Sequence, residues 1–351
     1  MKVITCASYY GCGSSAVTDM ISEYSDVSSL GEYEFRFLHD IDGISDLEFH
    51  LTECPNRHNS GHALKRFMRL SMFNAGKWFN SRYEPFFNGQ YMRITNEYIN
   101  NLTYYTYKGQ WFYDYYDKGV CQYYIIQFIN KILGKMLLNK YRLLSNELTY
   151  GTIIDNQYFI KCTKEYLHKL LECANKTDSQ YLMIDQLLPS SNIERCLRYF
   201  SDEVFVFVVD RDPRDLYIMG KYVWTNEYVM PVDDVDAFCK WIRFTRGCAK
   251  NQHIDNKHIM HLKFEDMVYR YNETKDEIIS MVGLKEIDHI APFTKFNPCR
   301  SVVNTQSWLR YPKEKDNIAY IERELSEFLF DYSSVANCKI EGIPCDNKSN
   351  F

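Results

Sequence analysis

The sequence predicts an α/β protein: a doubly wound parallel sheet flanked by helices, with a large helical, aromatic-rich insertion. Three observations predict it. Strand-like and helix-like segments alternate at both ends of the chain, the pattern that builds parallel sheets. The run Val204–Asp210 (VFVFVVD) is apolar on both faces, as strands buried between two helical layers are. Between these regions, 45–150 breaks the alternation and is crowded with aromatic side chains.

The elements follow in order. Lys2–Ser8 reads as a β-rich opening run, Tyr9–Ser15 as a Gly/Ser turn, and Val17, Met20, Ile21 and Tyr24 as one face of a helix. Val27–Leu30 is a short second strand followed by Gly31-Glu32. Within 45–150, Trp78, Phe79, Phe86, Phe87, Tyr104, Tyr105, Trp111, Phe112, Tyr113, Tyr115 and Tyr116 cluster before an amphipathic helix. Ile125, Ile129, Ile132, Leu133 and Met136 line one face of that helix. The alternation then resumes. Tyr166, Leu167, Leu170 and Leu171 mark a helix, Tyr181–Asp185 a buried strand, and Asn192–Phe200 a connecting helix. After Val204–Asp210, Asp212-Pro213 form an N-cap and N1 pair. His258–Phe264 is a strand, Thr274–Val282 a helix ended by Gly283, and Ile318–Leu329 a last amphipathic helix. The expected organisation is one domain over 1–335, an insertion or acceptor lid at 45–150, and a weakly ordered tail at 336–351.

Composition narrows the function. Lys+Arg 41 against Asp+Glu 46 gives net charge −5, so no global positive field exists to hold a nucleic acid. The longest charge-free apolar run, about Val204–Val209, is far below the roughly 20 residues of a membrane helix. With no secretory signal, the reading is a cytoplasmic protein without a membrane span. The 12 cysteines are scattered without CxxC, mostly in apolar segments (Cys6, Cys121, Cys196, Cys239), and read as buried free thiols. Sites such as Asn101-Leu-Thr103 carry no meaning without secretion.

Ligands in open α/β sheets bind at the carboxyl ends of the strands. Two strand ends here are chemically loaded. The first is Gly11-Cys12-Gly13-Ser14-Ser15-Ala16. Its glycines allow a tight turn that presents backbone N–H groups to an anion, and its serines can cap the helix or donate to phosphate. It is not GxxxxGK[ST] and contains no Lys or Arg. The second is Asp210-Arg211-Asp212-Pro213-Arg214-Asp215, five charged residues of six closing the central strand. Arginine suits bidentate phosphate or sulfate contacts. The same residues also make an ion-pair cluster that holds a helix start.

Taken together, these motifs resemble the sulfotransferase family that uses phosphoadenosine phosphosulfate (PAPS), with a degenerate first loop. Gly11–Ser15 stands in the register of the family's first loop, and Arg211-Asp-Pro213-Arg-Asp215 matches its Arg-x-Pro-x-Asp motif. Gly31-Glu32 stands where many bacterial members place a Gly-Glu pair. Phe264-Glu265-Asp266-Met267 is similar to the family's Tyr-Glu-Asp-Leu strand end, and Ser301-Val-Val-Asn304 before Trp308 to a late Ser-x-x-Asn. The likeness spans most of the chain outside 45–150. It departs at two positions: the family's loop Lys/Arg falls on Gly11, and a Ser that helps hold the 3′-phosphate falls on Met219. Arg36, Arg214, Lys221 and Arg300 are the candidates to replace the missing loop cation.

The resemblance implies a P-loop NTPase-like sulfotransferase fold. It also implies transfer of a sulfonate from PAPS to a hydroxyl or amine, leaving adenosine 3′,5′-bisphosphate, with no metal. A carbohydrate or other small molecule is the expected acceptor, Glu32 the general base, Glu34 its alternate and Lys221 a catalytic cation. Gly11, Cys12, Gly13, Ser14, Ser15, Ala16, Arg211, Arg214 and Arg300 would hold the donor, Arg211 at its 3′-phosphate. Rings such as Trp111 and Tyr113 either stack on a sugar or form the core of a helical layer. Two other readings stay open: a P-loop-fold kinase of a small molecule or glycan, and a non-catalytic nucleotide-binding or partner-docking protein. His50, Cys54, His58 and His62 recur every four residues, but Pro55 breaks the helix that a shared metal would need. Cys12 at a helix start reads chiefly as a small buried filler.

Overall fold

Five short runs form a single parallel sheet around two of them, Tyr181–Asp185 and Val204–Val209, that are buried on both faces. The computed structural model describes residues 1–77, 80–136, 141–225, 229–250 and 257–336, without the side chains of Glu32, Lys77, Asn80, Ser81, Ala249 and Lys250. Trp78, Phe79 and the expected tail beyond Ala336 lie outside the described residues. The chain divides into two compact units.

The first unit comprises Met1–Arg36, Asn175–Leu197 and the chain from Asp202 onward. Its elements are β1 (Lys2–Cys6), α1 (Ser14–Ile21), β2 (Val27–Glu34), β3 (Tyr181–Asp185) and β4 (Glu203–Asp210). There follow α2 (Pro213–Tyr222), α3 (Val235–Lys250), β5 (Ile259–Lys263), α4 (Phe264–Tyr269), α5 (Tyr271–Val282) and α6 (Lys315–Glu324). The strand order is β2-β3-β1-β4-β5, and every pairing is parallel. Ile4, Cys6, Met183, Phe205, Phe207 and Val209 form a core with Val17, Met20 and Ile21 of α1 and the apolar residues of α4 and α5. A second core joins α2, α3 and α6 through Leu216, Phe238, Ile242, Ile318 and Ile321.

This order places the site. The chain leaves β1 for β2 on one flank and leaves β4 for β5 on the other, yet β1 and β4 are neighbours. Their carboxyl ends therefore flank the point where the winding reverses, the position at which such sheets open a crevice.

Several elements differ from expectation. The second strand runs on to Glu34 through an irregularity: Ser29 pairs with Met183, the register slips, and Glu34 pairs with Asp185. Phe264 is no strand end; β5 stops at Lys263 and Phe264-Glu265-Asp266-Met267 opens α4. The connecting helix is only Ile193–Leu197, and the last helix stops at Glu324 before a short 3-10 turn.

The second unit is Phe37–Ala174 with Arg198–Ser201, wider than the expected 45–150. The helix Asn156–Ala174 belongs to it, packing through Tyr166 against Tyr98 of the helix Tyr91–Asn101, with ring centroids 4.4 Å apart. The hydroxyls of Tyr166 and Tyr98 meet Thr95 and Thr163 at 2.9 and 2.8 Å, so these buried rings leave no polar atom unmatched. Glu48, fully buried, accepts from Arg198, Tyr199 and Asn156. Strands Tyr105–Lys108 and Leu148–Gly151 form an antiparallel ribbon.

The four residues His50, Cys54, His58 and His62 do not share a helix. A π-helical turn at Phe49–Glu53 ends before Pro55, and a new helix starts at Ser60. His62 instead pairs with Asp117 at 2.7 Å, and burial lowers its pKa. The helix Val120–Met136 also departs from expectation. Ile125, Ile132 and Met136, expected on a packed face, are exposed, and only Asn130 is buried. Cys121 on that helix is exposed rather than buried, as are Cys54 and Cys248, while Cys6, Cys12, Cys196 and Cys239 are buried. Cys299 is disulfide-bonded, which departs from the expected set of reduced thiols. No described helix is long and apolar enough to cross a membrane.

Candidate functional site

The glycine turn and the arginine motif, 200 residues apart in sequence, meet at the junction of β1 and β4. Arg211 donates through Nη1 to the Gly11 carbonyl at 3.4 Å, and the Cys12 thiol lies 3.6 Å from Asp210. The turn takes its shape from two left-handed residues, Gly11 at φ 72° and Gly13 at φ 85°. Gly13 is the N-cap of α1 and offers no side-chain cap, so the serines are not caps as expected. They are the first two helical residues, with N–H groups that have no acceptor inside the helix and point along the positive end of its dipole. The Ser14 hydroxyl donates to Asp185 at 3.1 Å. Cys12 is buried, and burial pushes its thiol up to about 12, away from reactivity. Ala16 is buried within the core.

The turn is roofed rather than open. A Cβ at Gly13 would stand 2.6 Å from the Phe264 ring, and one at Gly11 2.7 Å from the Trp224 ring. Two aromatic rings, Phe264 and Trp224, thus lie directly against the glycine turn. Substituting Gly13 by alanine forces a left-handed L-residue against Phe264. A loss of about 2 kcal/mol or more is expected, read as a lowered urea midpoint with unchanged slope.

At the second strand end, every aspartate of the motif is engaged. Asp210 receives Arg246 at 2.5 Å and Lys263 at 3.2 Å. Burial alone would raise this carboxyl, but Arg246 and Lys263 outweigh it and hold it below the usual range. Asp212 caps α2 at the Arg214 N–H, binds the Arg214 guanidinium at 2.7 Å, and accepts the Phe330 N–H. Asp215 accepts from the Gln306 and Ser307 N–H groups and from the hydroxyls of Ser307 and Tyr332.

The arginines are held as firmly. Arg214 also pairs with Glu322 at 2.8 Å and lies over the Trp308 ring at 4.1 Å. Arg211, 4% exposed, lies over the Phe264 ring and donates to the Asn304 carbonyl, yet its Nε has no partner among the described residues. The late Ser301–Asn304 and Trp308 segment thus reaches the arginine motif. Glu265 does so too, accepting the Asp212 N–H at 2.9 Å.

The other expected residues lie as follows. Glu34 is exposed and pairs with Arg36 at 3.4 Å. Glu32 lies in β2, its side chain outside the described residues. Lys221 is bound by Glu314 at 2.9 Å and the Tyr217 hydroxyl, and with Tyr10 and Trp224 it lines a cavity of about 220 Å³. Arg300 is half-buried on the short helix Pro298–Ser301. Of the cations proposed to replace the loop base, Arg36 and Arg214 are thus committed to carboxylates and Lys221 to Glu314.

The cation beside the first loop is one that sequence reasoning missed. Arg246, 4% exposed on α3, lies over the Tyr9 ring at 4.4 Å and contacts the Cys12 sulfur at 3.4 Å. Nothing in its helical surroundings marks it. Asp185 was also missed, but had a signal: it closes an otherwise apolar strand, as Asp210 does. Burial, reinforced by the charge of Glu34 against the Ser14 hydrogen bond, pushes Asp185 up to about 7. Burial likewise pushes Glu265 up to about 8. Two carboxyls at the carboxyl end of the sheet can therefore carry a proton near neutrality.

In the second unit, Arg57, Tyr105, Tyr107, Trp111 and Tyr150 line a cavity of about 480 Å³. Arg57 lies 5.4 Å above the Trp111 ring. Tyr113 lines a different cavity, with Asp42, His50, His62 and Arg66. Among the described residues, no three His, Cys, Asp or Glu side chains gather as a metal site. No protein-family model matches the chain, and a search of curated proteins finds no match.

Proposed function

We propose that the first unit binds PAPS where β1 and β4 end and transfers its sulfonate to a hydroxyl or amine of a carbohydrate or similar small acceptor. The observation that carries this reading is the contact between Arg211 and the Gly11 carbonyl, which joins the two anion-directed motifs at the winding reversal. The N–H groups of Ser14 and Ser15 supply donors for the leaving phosphate, and the Arg211 guanidinium a cation for the 3′-phosphate. Tyr10 and Trp224, edge to face at 6.2 Å beside the Lys221 cavity, offer a stacking surface for a purine.

In the reaction, the acceptor oxygen forms a bond to sulfur as the bridging sulfur–oxygen bond breaks. The acceptor proton passes to Glu32, with Glu34 as alternate. The charge released stays on the bisphosphate.

One observation favours a second reading. The Ser14 hydroxyl on Asp185 pairs the group types with which phosphotransferases hold Mg²⁺, although the loop has no lysine for the phosphates.

Thermal denaturation with adenosine 3′,5′-bisphosphate, with Mg-ATP and with buffer tests these readings. The bisphosphate is expected to raise Tm selectively, by the equivalent of about 2.7 kcal/mol at a hundredfold excess over Kd. Arg211→Ala should remove the shift; a full shift in that variant would refute the assignment of Arg211 to the 3′-phosphate. Selective stabilisation by Mg-ATP selects the kinase reading. No shift with either selects a docking protein that keeps the sheet without the reaction. Glu32→Gln should leave the shift intact and slow turnover by roughly 10²–10⁴-fold; unchanged turnover removes Glu32 from the reaction.

A further inference from the structure

The helix Val120–Met136 exposes an apolar face that nothing among the described residues covers. Tyr124, Phe128, Ile132 and Met136 stand four apart in one row, at 67%, 65%, 42% and 74% exposure. Ile125 and Val120 widen this face. The short helix Phe112–Tyr116, touching it through Tyr115 and Tyr123, adds exposed Phe112 and Tyr116.

Charge decides what suits it. From Lys118 to Asn146 the sequence has Lys118, Lys131, Lys135, Lys140 and Arg142 and no acidic residue. Lys131 and Lys135 form the helical row beside the apolar one. With Arg142, Gln110, Gln127 and Asn130 they line an open cavity of about 970 Å³ that has no carboxylate in its wall. Among the described residues no acidic group pairs with Lys131, Lys135 or Arg142. A bilayer carrying acidic lipids meets both features at once, with an apolar layer for the row of rings and anionic headgroups for the lysines and the arginine beside it.

We propose that this helix lies in the surface of an anionic membrane. Its apolar row enters the boundary between headgroups and acyl chains, while Lys131, Lys135 and Arg142 meet lipid phosphates and carboxylates. Lysine suits the edge of such a face because its stem stays in the apolar layer while its ammonium reaches the headgroups. Tyrosine suits the same depth, with an apolar ring and a polar tip. At 17 residues the helix is about 25 Å long, and its lysines, Lys131 and Lys135, bar it from spanning the bilayer. The inference is independent of the donor site in the first unit.

The test is co-sedimentation of the full chain with vesicles of phosphatidylcholine alone and of phosphatidylcholine with about one third phosphatidylserine. Binding is expected to the anionic vesicles and to weaken as salt is raised. Lys131→Glu with Lys135→Glu should lower the partition coefficient about tenfold or more. Phe128→Ser with Ile132→Ser should abolish binding while the circular dichroism and Tm stay unchanged, since both positions are exposed. Equal binding to neutral and anionic vesicles, binding that survives both double variants, or no binding at all would overturn the proposal. So would a dimer in light scattering that Phe128→Ser with Ile132→Ser converts to monomer, which gives the face to a second copy.

Discussion

Replacing Asp215 by alanine is expected to remove about 3–5 kcal/mol of stability, enough to unfold a protein of ordinary margin. The carboxylate is fully buried and receives two backbone N–H groups and two hydroxyls. Its loss strands four donors away from water, and each orphaned group costs its desolvation. Asn at this position should cost about half as much. Its carbonyl still accepts from the Ser307 N–H and hydroxyl, and the Tyr332 hydroxyl can rotate to accept from its amide, which leaves only the Gln306 N–H unmatched. Urea unfolding followed by circular dichroism measures both. A loss below about 1 kcal/mol for alanine would show that the 305–308 segment is held by other contacts. The motif that resembles a donor-binding signature is thus first a structural knot, tying the end of β4 to the segments around Ser307 and Tyr332.

The second large effect is a fall in stability from mildly acid to mildly alkaline pH. Asp185 and Glu265 have folded pKa values raised to about 7 and about 8, chiefly by burial. In the unfolded chain both ionise near pH 4. Between pH 4 and 8 the native state therefore binds more protons than the unfolded state, and stability must decline as pH rises. The slope reaches about 1.4 kcal/mol per pH unit for each group while it stays protonated only in the fold. The loss levels off as pH rises past the folded value of Glu265, about 8. The acid side runs the other way. Asp210, held down by Arg246 and Lys263, contributes stability that disappears as pH falls below its unfolded value. Asp185→Asn with Glu265→Gln should flatten the decline between pH 5 and 8, because an amide has no proton to lose there. A wild-type Tm that is level from pH 5 to pH 8 would refute the assignment of both groups.

Much of the fold is legible in the chain because its signals are local. VFVFVVD can be satisfied only by a strand covered on both faces, and β4 lies there between β1 and β5. Asp212-Pro213 starts a helix because a carboxylate accepts the orphan N–H and proline brings none, and α2 starts there. Gly283 ends α5 in a left-handed turn. The extent of the second unit was less legible. The helix Asn156–Ala174 carries an ordinary amphipathic pattern, which says that one face is buried but not against what. The helix Val120–Met136 shows the same limit more sharply, since its apolar periodicity looks like a core face and is instead exposed.

At the candidate site, residue type and position were readable from sequence, while occupation was not. The chain by itself determined that glycines 11 and 13 turn between strand and helix, and that charged residues close two buried strands. It did so because left-handed backbone and buried charge each tolerate few residue types. Only the tertiary structure decided which charge meets which: that Arg246 rather than Arg36, Arg214 or Lys221 stands beside the first loop, that Asp185 takes the Ser14 hydroxyl, and that Phe264 and Trp224 roof the glycines. Those pairings depend on strand order and helix crossings that bring residues together across as many as 251 positions, from Gly13 to Phe264. No local pattern in the sequence encodes contacts of that range.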